Sequence, residues 1–319
     1  VNGQDGSYLA EYLLGAGWYV TGVGRQPRSR YIAHPERFDY RRVDLAQQGA
    51  LSPVLAEASA SHIYYLAAVH GAAGFEYESR WQEAVTVNLG NVQLCLEHMR
   101  TASPSARLLY ASSLKAFGTT PPKVISEATP RRSQCLYSIT KNGAKDVIDY
   151  YRDTHRLRAS VLYLFNHDSP RRPAHFVLPR MVSLLARALR GQTRGRLRSL
   201  DFACDWGSAA EFMQLGHRLL ENERNIDYVM ATGRTWTGGE FIEALFASAG
   251  LDWHDHVKLD QAQGSVPVHA TYGDITCMRQ TLGTAPRQSA LDVAHWILRE
   301  NEGVDLASRA AVRRAGAST

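Results

Sequence analysis

The sequence predicts an α/β fold: a doubly wound parallel sheet carrying a smaller mixed α/β domain. Three observations predict it. Short apolar runs alternate with helix-period segments through the first half. The chain opens on a glycine-rich turn that leads at once into helical periodicity. After Asn166 the texture changes, and Pro and Arg become dense in Ser169-Pro170-Arg171-Arg172-Pro173.

Each element follows in order. Tyr8, Leu9, Tyr12, Leu13 and Leu14 recur at the spacing of one helix face. Tyr19-Val20-Thr21-Gly22-Val23 reads as a buried strand, as do residues 62–68, 107–113 and 160–165. Between them, residues 85–99 and 137–151 carry helical patterns. Strands alternating with helices imply a parallel sheet with both faces covered. Parallel strands need crossovers, and right-handed crossovers wind helices onto both faces. Such a sheet binds its ligand beyond the carboxyl ends of its strands. Later, residues 181–190 read as a basic helix and 227–233 as a strand returning to the sheet. The Ala- and Arg-rich tail, 306–319, reads as mobile or weakly helical. The expected division is a dinucleotide-binding domain over 1–165 with a returning segment near 226–250. A substrate-binding domain then takes 166–225 and 251–319.

Composition narrows the function. With 319 residues, 45% apolar and 21% charged, the chain can bury a sizeable core and is not disordered. A net charge of +5 is mild at this length; it suits a small anionic ligand and not a nucleic acid. Cys95, Cys135, Cys204 and Cys277 lie far apart with no CxxC pair, so neither a disulfide framework nor a metal site is expected, and a reducing, cytoplasmic setting fits. No apolar run reaches the ~18 residues of a membrane span. The chain begins at Val1 without Met, so its natural N-terminus is expected to lie outside this sequence.

The opening turn is Val1-Asn2-Gly3-Gln4-Asp5-Gly6. Two glycines three apart before a helix bring backbone N–H groups and a helix N-terminus onto a pyrophosphate. A turn that simply caps a helix would look similar. The strand that follows ends without the Asp or Glu that holds a ribose 2′-hydroxyl. Instead it leads into Gly24-Arg25-Gln26-Pro27-Arg28. Arg25 can pair a 2′-phosphate, favouring NADP over NAD, although a solvated basic loop has the same composition. Asp44, beside Leu45, can accept from an adenine amine. Ala67 and Ala68 are small residues at a strand end, where a dinucleotide passes close to the backbone.

Tyr137-Ser138-Ile139-Thr140-Lys141 places a phenol and an ammonium one helical turn apart on one face. A phenol near pKa ~10 is a poor base at neutral pH, and a neighbouring cation is expected to lower that value. Ser112 and Ser113 lie at a strand end about 25 residues upstream, where a hydroxyl can orient a substrate alcohol. Serine, tyrosine and lysine then form a hydride-transfer set in which tyrosine takes the alcohol proton. The competing reading is an amphipathic helix with an exposed lysine.

These residues resemble the extended short-chain dehydrogenase/reductase family and, within it, the GDP-mannose 4,6-dehydratases, over most of 1–250. The most specific matches are residues 3–11, Leu164-Phe165-Asn166-His167-Asp168-Ser169-Pro170-Arg171-Arg172, Asp205-Trp206-Gly207 and 228–233. The resemblance implies NADP, with NAD as the alternative, and a homodimer or homotetramer. It implies oxidation at C4 of a nucleotide-linked sugar, loss of the C5 proton, departure of the C6 hydroxyl and hydride return to C6. It also implies that Asn166 touches the substrate sugar or phosphate, that Arg180 meets a diphosphate, and that His167, Arg171 and Arg172 lie near the cofactor. Arg171 and Arg172 could equally support an oligomer, and His167 reads equally as a satisfied structural histidine. Trp206 reads as packing.

The departures matter as much. The family has Ser-Thr-Ser-Glu where this chain has Ser112-Ser113-Leu114-Lys115. Ser113 takes the hydroxyl position. Lys115 replaces the glutamate that serves as acid and base for elimination, a role open to lysine only if burial beside other positive charge depresses its pKa. His70, Asp168 and Glu76 are the other candidate proton shuttles. Cys204 and Gly239 stand where the family places arginines that grip the nucleotide diphosphate; each loss removes a charge-assisted bond of ~1.5–3 kcal/mol. Arg194, Arg196 or Arg198 could substitute. The leading expectation is a dehydratase-like enzyme on a sugar substrate other than GDP-mannose. This would be a modified sugar nucleotide, or a nucleoside or glycoside without a diphosphate, and the product could carry an alkene if hydride returns to its original carbon. The alternatives are an epimerase or ketoreductase without elimination, and a non-catalytic cofactor-binding protein.

Overall fold

A computed structural model describes residues 1–33, 36–71, 75–262, 264 and 268–306; residues 307–319 of the expected weakly helical tail lie outside them. The order begins α1 (Gln4–Gly15), β1 (Val20–Gly24), β2 (Phe38–Arg42), β3 (His62–Tyr65), α2 (Asn91–Ala102), β4 (Arg107–Ser113), α3 (Leu136–His155) and β5 (Arg158–Leu164). It continues β6 (Asn166–Asp168), α4 (Val177–Leu189), β7 (Ala203–Ser208), α5 (Ala209–Glu221), β8 (Tyr228–Met230), β9 (Thr235–Thr237), α6 (Gly238–Ala247) and α7 (Ala290–Glu302). Among the described residues, no helix is long and apolar enough to cross a membrane.

β3, β4, β5 and β8 form one parallel sheet in the order β8-β5-β4-β3, with Ser113 opposite Leu164 at its carboxyl end. Alternation along β4 explains why both faces are covered. Leu108 and Tyr110 enter one core with Leu96, Met99 and Ile148, while Leu109 and Ala111 enter the other with Leu9, Leu13, Phe212 and Leu219. α2 and α3 therefore cover one face, and α1 and α5 the other.

One feature departs from a single continuous sheet. β1 and β2 pair in parallel as a separate two-stranded sheet. No described strand bonds both β1 and β3. The Val1 amine donates to the Val23 carbonyl at 2.7 Å, and a cleft of about 740 Å³ has residues of both β1 and β3 in its lining.

A second core gathers Leu178, Met181 and Leu185 of α4, Phe241, Leu245 and Phe246 of α6, and Val293 and Ile297 of α7 around Trp206. Trp206 is thus packing, as the sequence suggests. β7 pairs with β6 in parallel and with β9 in antiparallel fashion, so this half is mixed. The returning segment expected over 226–250 divides: β8 joins the main sheet, whereas Trp236 and α6 pack into the second core. Gly233, at φ 79°, permits the sharp turn between them. The buried Asp205 carboxylate holds that turn by accepting from the Thr232 and Gly233 amides, both at 2.9 Å, and from the Gly273 amide at 3.2 Å.

Candidate active site

The site is assembled at the carboxyl end of β4. α3 begins at Cys135, whose Sγ accepts from the Ser138 amide while Ser138 Oγ accepts from the Cys135 amide. This reciprocal cap fixes Tyr137 in the first turn. Tyr137 and Lys141 then lie on the buried face of α3. Lys141 Nζ donates to the Ala111 carbonyl at 2.7 Å and sits 4.6 Å from the Tyr110 ring centroid and 5.7 Å from that of Tyr137. Ser113 lies close enough to Tyr137 to favour its phenolate, and its Oγ accepts from the Lys115 amide at 3.2 Å. The structure therefore brings Ser113, Tyr137 and Lys141 together. Ser112 is buried beside them, with an Oγ that has no partner.

The electrostatics correct one expectation. Burial pushes the Tyr137 phenol up, the neighbouring Tyr77 adds to this, and Ser113 only partly opposes it. Burial also lowers Lys141 to about 7. The lysine does not bring the phenol down here, because both groups are out of water and the ammonium is itself disfavoured.

The expected cofactor positions Gly3, Gly6, Arg25, Asp44, Leu45, Ala67 and Ala68 all line the 740 Å³ cleft. α1 starts at Gly3 without a side-chain cap, and a Cβ built on Gly3 meets nothing within 4 Å. An uncapped helix N-terminus in a cleft with Arg25 on its wall fits a dinucleotide pyrophosphate. Asp44 accepts from the Ala46 amide at 3.1 Å. The Gln4 and Asp5 side chains are held by the segment after β5. Gln4 accepts from Ser169 Oγ at 2.8 Å and donates to the His167 carbonyl at 3.2 Å. Asp5 pairs with His167 Nε2 at 3.0 Å, and His167 Nδ1 bonds the Phe165 carbonyl at 2.6 Å. Burial alone would neutralise this pair, but their mutual attraction holds Asp5 low and His167 high. These side chains clamp the glycine turn to the strand end after β5; His167 is a satisfied histidine. Arg172 lies 3.3 Å from Asp168 and stacks over Phe176, while Arg171 pairs with Glu11 between Tyr8 and Tyr31.

On the substrate side, Asn166 Nδ2 donates to Cys204 Sγ at 2.9 Å, so these two positions meet. Burial pushes the Cys204 thiol up to about 12, which makes it a neutral group where the family carries a cation. Arg180 is exposed and donates to the Arg196 carbonyl at 2.9 Å. Two of the possible substitutes are engaged elsewhere: Arg194 bonds the Asp255 and His254 carbonyls, and Arg196 pairs with Asp260. Lys115 is exposed, so the burial that a basic lysine needs is not met.

Sequence reasoning missed three residues. Asn2 ties the arginine loop together, donating to Gln26 Oε1 and the Arg28 carbonyl and accepting from the Arg30 amide. Asn88 sits in a π-turn over Thr86–Gly90, accepts from the Val69 amide at 2.7 Å and donates to Thr140 Oγ1 at 3.0 Å. It thereby joins the segment after β3 to the helix of Tyr137. Such wide turns mark functional places in helices, but a single Asn in a helical run gives little sequence signal. Tyr77 is the third; its ring lies 5.8 Å from that of Tyr137.

With that geometry in view, the comparisons are specific. The family model described as GDP-mannose 4,6 dehydratase matches residues 1–292. The chain belongs to the GDP-mannose 4,6-dehydratase family. GDP-mannose 4,6 dehydratase 2 of Arabidopsis thaliana is 31% identical over 303 residues, covering 90% of this chain and 81% of that protein. Among solved structures, a dTDP-glucose 4,6-dehydratase from Bacillus anthracis in complex with NAD aligns with a TM-score of 0.76 at 19% identity, over 94% of this chain and 95% of that one. RMD from Pseudomonas aeruginosa, complexed with NADPH, aligns with a TM-score of 0.75 at 19% identity, over 94% and 96%. The fold is the Rossmann fold of the extended short-chain dehydrogenases/reductases, and membership in the family makes the protein an enzyme of the sugar-nucleotide dehydratase/epimerase type.

Proposed function

We propose that the protein is an NADP- or NAD-dependent, dehydratase-like enzyme that acts on a sugar substrate other than GDP-mannose. The observation that supports this best is the meeting of Ser113, Tyr137 and Lys141 at the end of β4, with Gly3, Arg25 and Ala68 on the wall of the nearby cleft. A bound nicotinamide dinucleotide supplies the acceptor and donor of hydride. The protein supplies the rest. Gly3, Gly6 and the start of α1 bind the pyrophosphate, and Arg25 favours a 2′-phosphate. Ser113 orients the sugar hydroxyl, Tyr137 takes and returns its proton, and Lys141 holds the ribose. Residues 1–165 with β8 act as the dinucleotide-binding part, and Asn166, Cys204 and Arg180 lie in the part that meets the substrate. We place the enzyme in the cytoplasm as a homodimer or homotetramer. The neutral Cys204–Asn166 pair and the engaged Arg194 and Arg196 favour a substrate that does not rely on two arginines at its diphosphate.

A second reading, epimerisation or ketoreduction without elimination, is favoured by one observation: an exposed Lys115 stands where elimination needs a carboxylate. Cofactor accounting separates the two, using purified protein, a panel of nucleotide sugars, nucleosides and glycosides, and a hundredth of an equivalent of NADP. Elimination is expected to give many turnovers, product lighter by one water, and no net accumulation of reduced cofactor. Epimerisation would conserve mass. Net stoichiometric reduction or oxidation would identify a simple ketoreductase and remove the dehydratase reading.

A further inference from the structure

We propose that His70, tuned by Tyr77, is the acid and base that moves the proton on the sugar carbon beside the oxidised one, in place of the missing glutamate. The proposal rests on the sugar-dehydratase reading above and deepens it.

The geometry carries it. The His70 ring lies against the Tyr137 ring, with centroids 4.8 Å apart and an interplanar angle of 38°. The Tyr77 ring lies 5.8 Å from the same tyrosine. His70 Nδ1 and the Tyr77 hydroxyl are 2.9 Å apart, and the Gly71 amide also donates to that hydroxyl. The preceding residue is fixed from the other side, because Val69 N–H is held by Asn88. One ring nitrogen of His70 is thus engaged, and among the described residues none bonds its Nε2. The side chain keeps an exposed edge on the cleft that holds the cofactor positions. With Nδ1–H donating to the Tyr77 oxygen, the neutral ring keeps its lone pair on Nε2, which is the arrangement of a general base.

The charges facing His70 are Lys115 at the end of β4, Lys141 on α3 and Arg172 in the segment before α4. With burial as the first cause and these three cations after it, the imidazole is lowered to about 4. It is therefore neutral at pH 7 and able to accept a proton. Lys115, exposed and cationic, serves to keep it so.

The step balances without further reagents. With a ketone on the sugar, the adjacent C–H bond breaks, its proton goes to His70 Nε2, and its electron pair enters an enolate whose oxygen faces Ser113 and Tyr137. The imidazolium then gives that proton to the hydroxyl leaving the next carbon. Water departs, the alkene forms and His70 returns to neutral.

The test avoids hydride transfer. Holoenzyme is incubated in deuterated water with GDP-, UDP- and dTDP-linked 4-keto-6-deoxyhexoses, and deuterium at the carbon beside the ketone is followed by NMR. Wild type is expected to exchange; H70Q is expected to exchange at least about 100-fold more slowly, and Y77F about 10-fold more slowly. Independently of activity, the histidine Cε1–H resonance that disappears in H70Q is expected to titrate well below the ordinary histidine range, and to move up in Lys115→Met. Unchanged exchange in H70Q, or exchange lost in Lys115→Met but kept in H70Q, overturns the role of His70 and leaves the sugar-enzyme reading standing. Wild-type protein inert to all three ketones and also to a keto-nucleoside and a 4-ketoglycoside without a diphosphate overturns both. An H70Q protein that has lost its circular-dichroism signature is replaced by His70→Asn, to which the same outcomes apply.

Discussion

Tyr137→Phe is expected to lower turnover by about 10²–10⁴-fold, the range a positioned acid–base group contributes. It should leave dinucleotide affinity within about twofold. The hydroxyl is the only group lost, and its neighbours define its work: Ser113 favours its ionised form and Lys141 Nζ lies 5.7 Å from the ring centroid. Burial holds the phenol protonated in the free protein, so the hydroxyl can take up its role as base only once the site is filled. A steady-state assay with the substrate found by cofactor accounting, together with fluorescence titration of NADPH, reads both quantities. A variant with wild-type turnover would take the hydride-transfer role away from this helix.

Lys141→Met is expected to produce opposite effects on activity and stability. Activity should fall by about 10²-fold or more, since the cation nearest the phenol is gone. Stability should rise at neutral and low pH. The buried ammonium is lowered from 10.5 to about 7. Between those values the unfolded chain binds a proton that the folded protein does not. Stability therefore climbs as pH rises through this window, and the full cost is present below it. Methionine removes that cost but leaves the Ala111 carbonyl without its donor, so the net gain is on the order of 1–3 kcal/mol at pH 6. Melting curves for wild type and variant at pH 6 and pH 10 should show the gap closing at the higher pH. A constant gap would mean that Lys141 is not buried in its charged form.

The pattern of these sites shows what a sequence can disclose. β4 was legible because apolar residues at every position, 108–111, admit only a strand buried on both faces. Tyr137 and Lys141 were legible because helical spacing alone puts them on one face. The pKa consequence was not, since it depends on how much water reaches them, and that is set by packing from Tyr110, Tyr77 and His70. His70 looked like one of several shuttles in the sequence; only the fold sets its ring on Tyr137 and Tyr77 on its nitrogen. Gln4 and Asp5 fit a cofactor turn by position, yet their side chains reach residues more than 160 positions away. The arginines at 194 and 196 could not be ranked as substitutes for Cys204 until their partners in 254–260 were seen.

The most direct measurement follows the hydrogen itself. The sugar carbon to be oxidised is labelled with deuterium, and the purified enzyme is run through a single turnover with unlabelled NADP in light water. In samples quenched during the turnover the label is expected on the nicotinamide, and at its end within the same product molecule, at the original carbon or the one that lost its hydroxyl, with none released to solvent. Label that never passes to the nicotinamide during the turnover, or a protein that binds no dinucleotide at all, would contradict a hydride-transfer site built on Ser113, Tyr137 and Lys141.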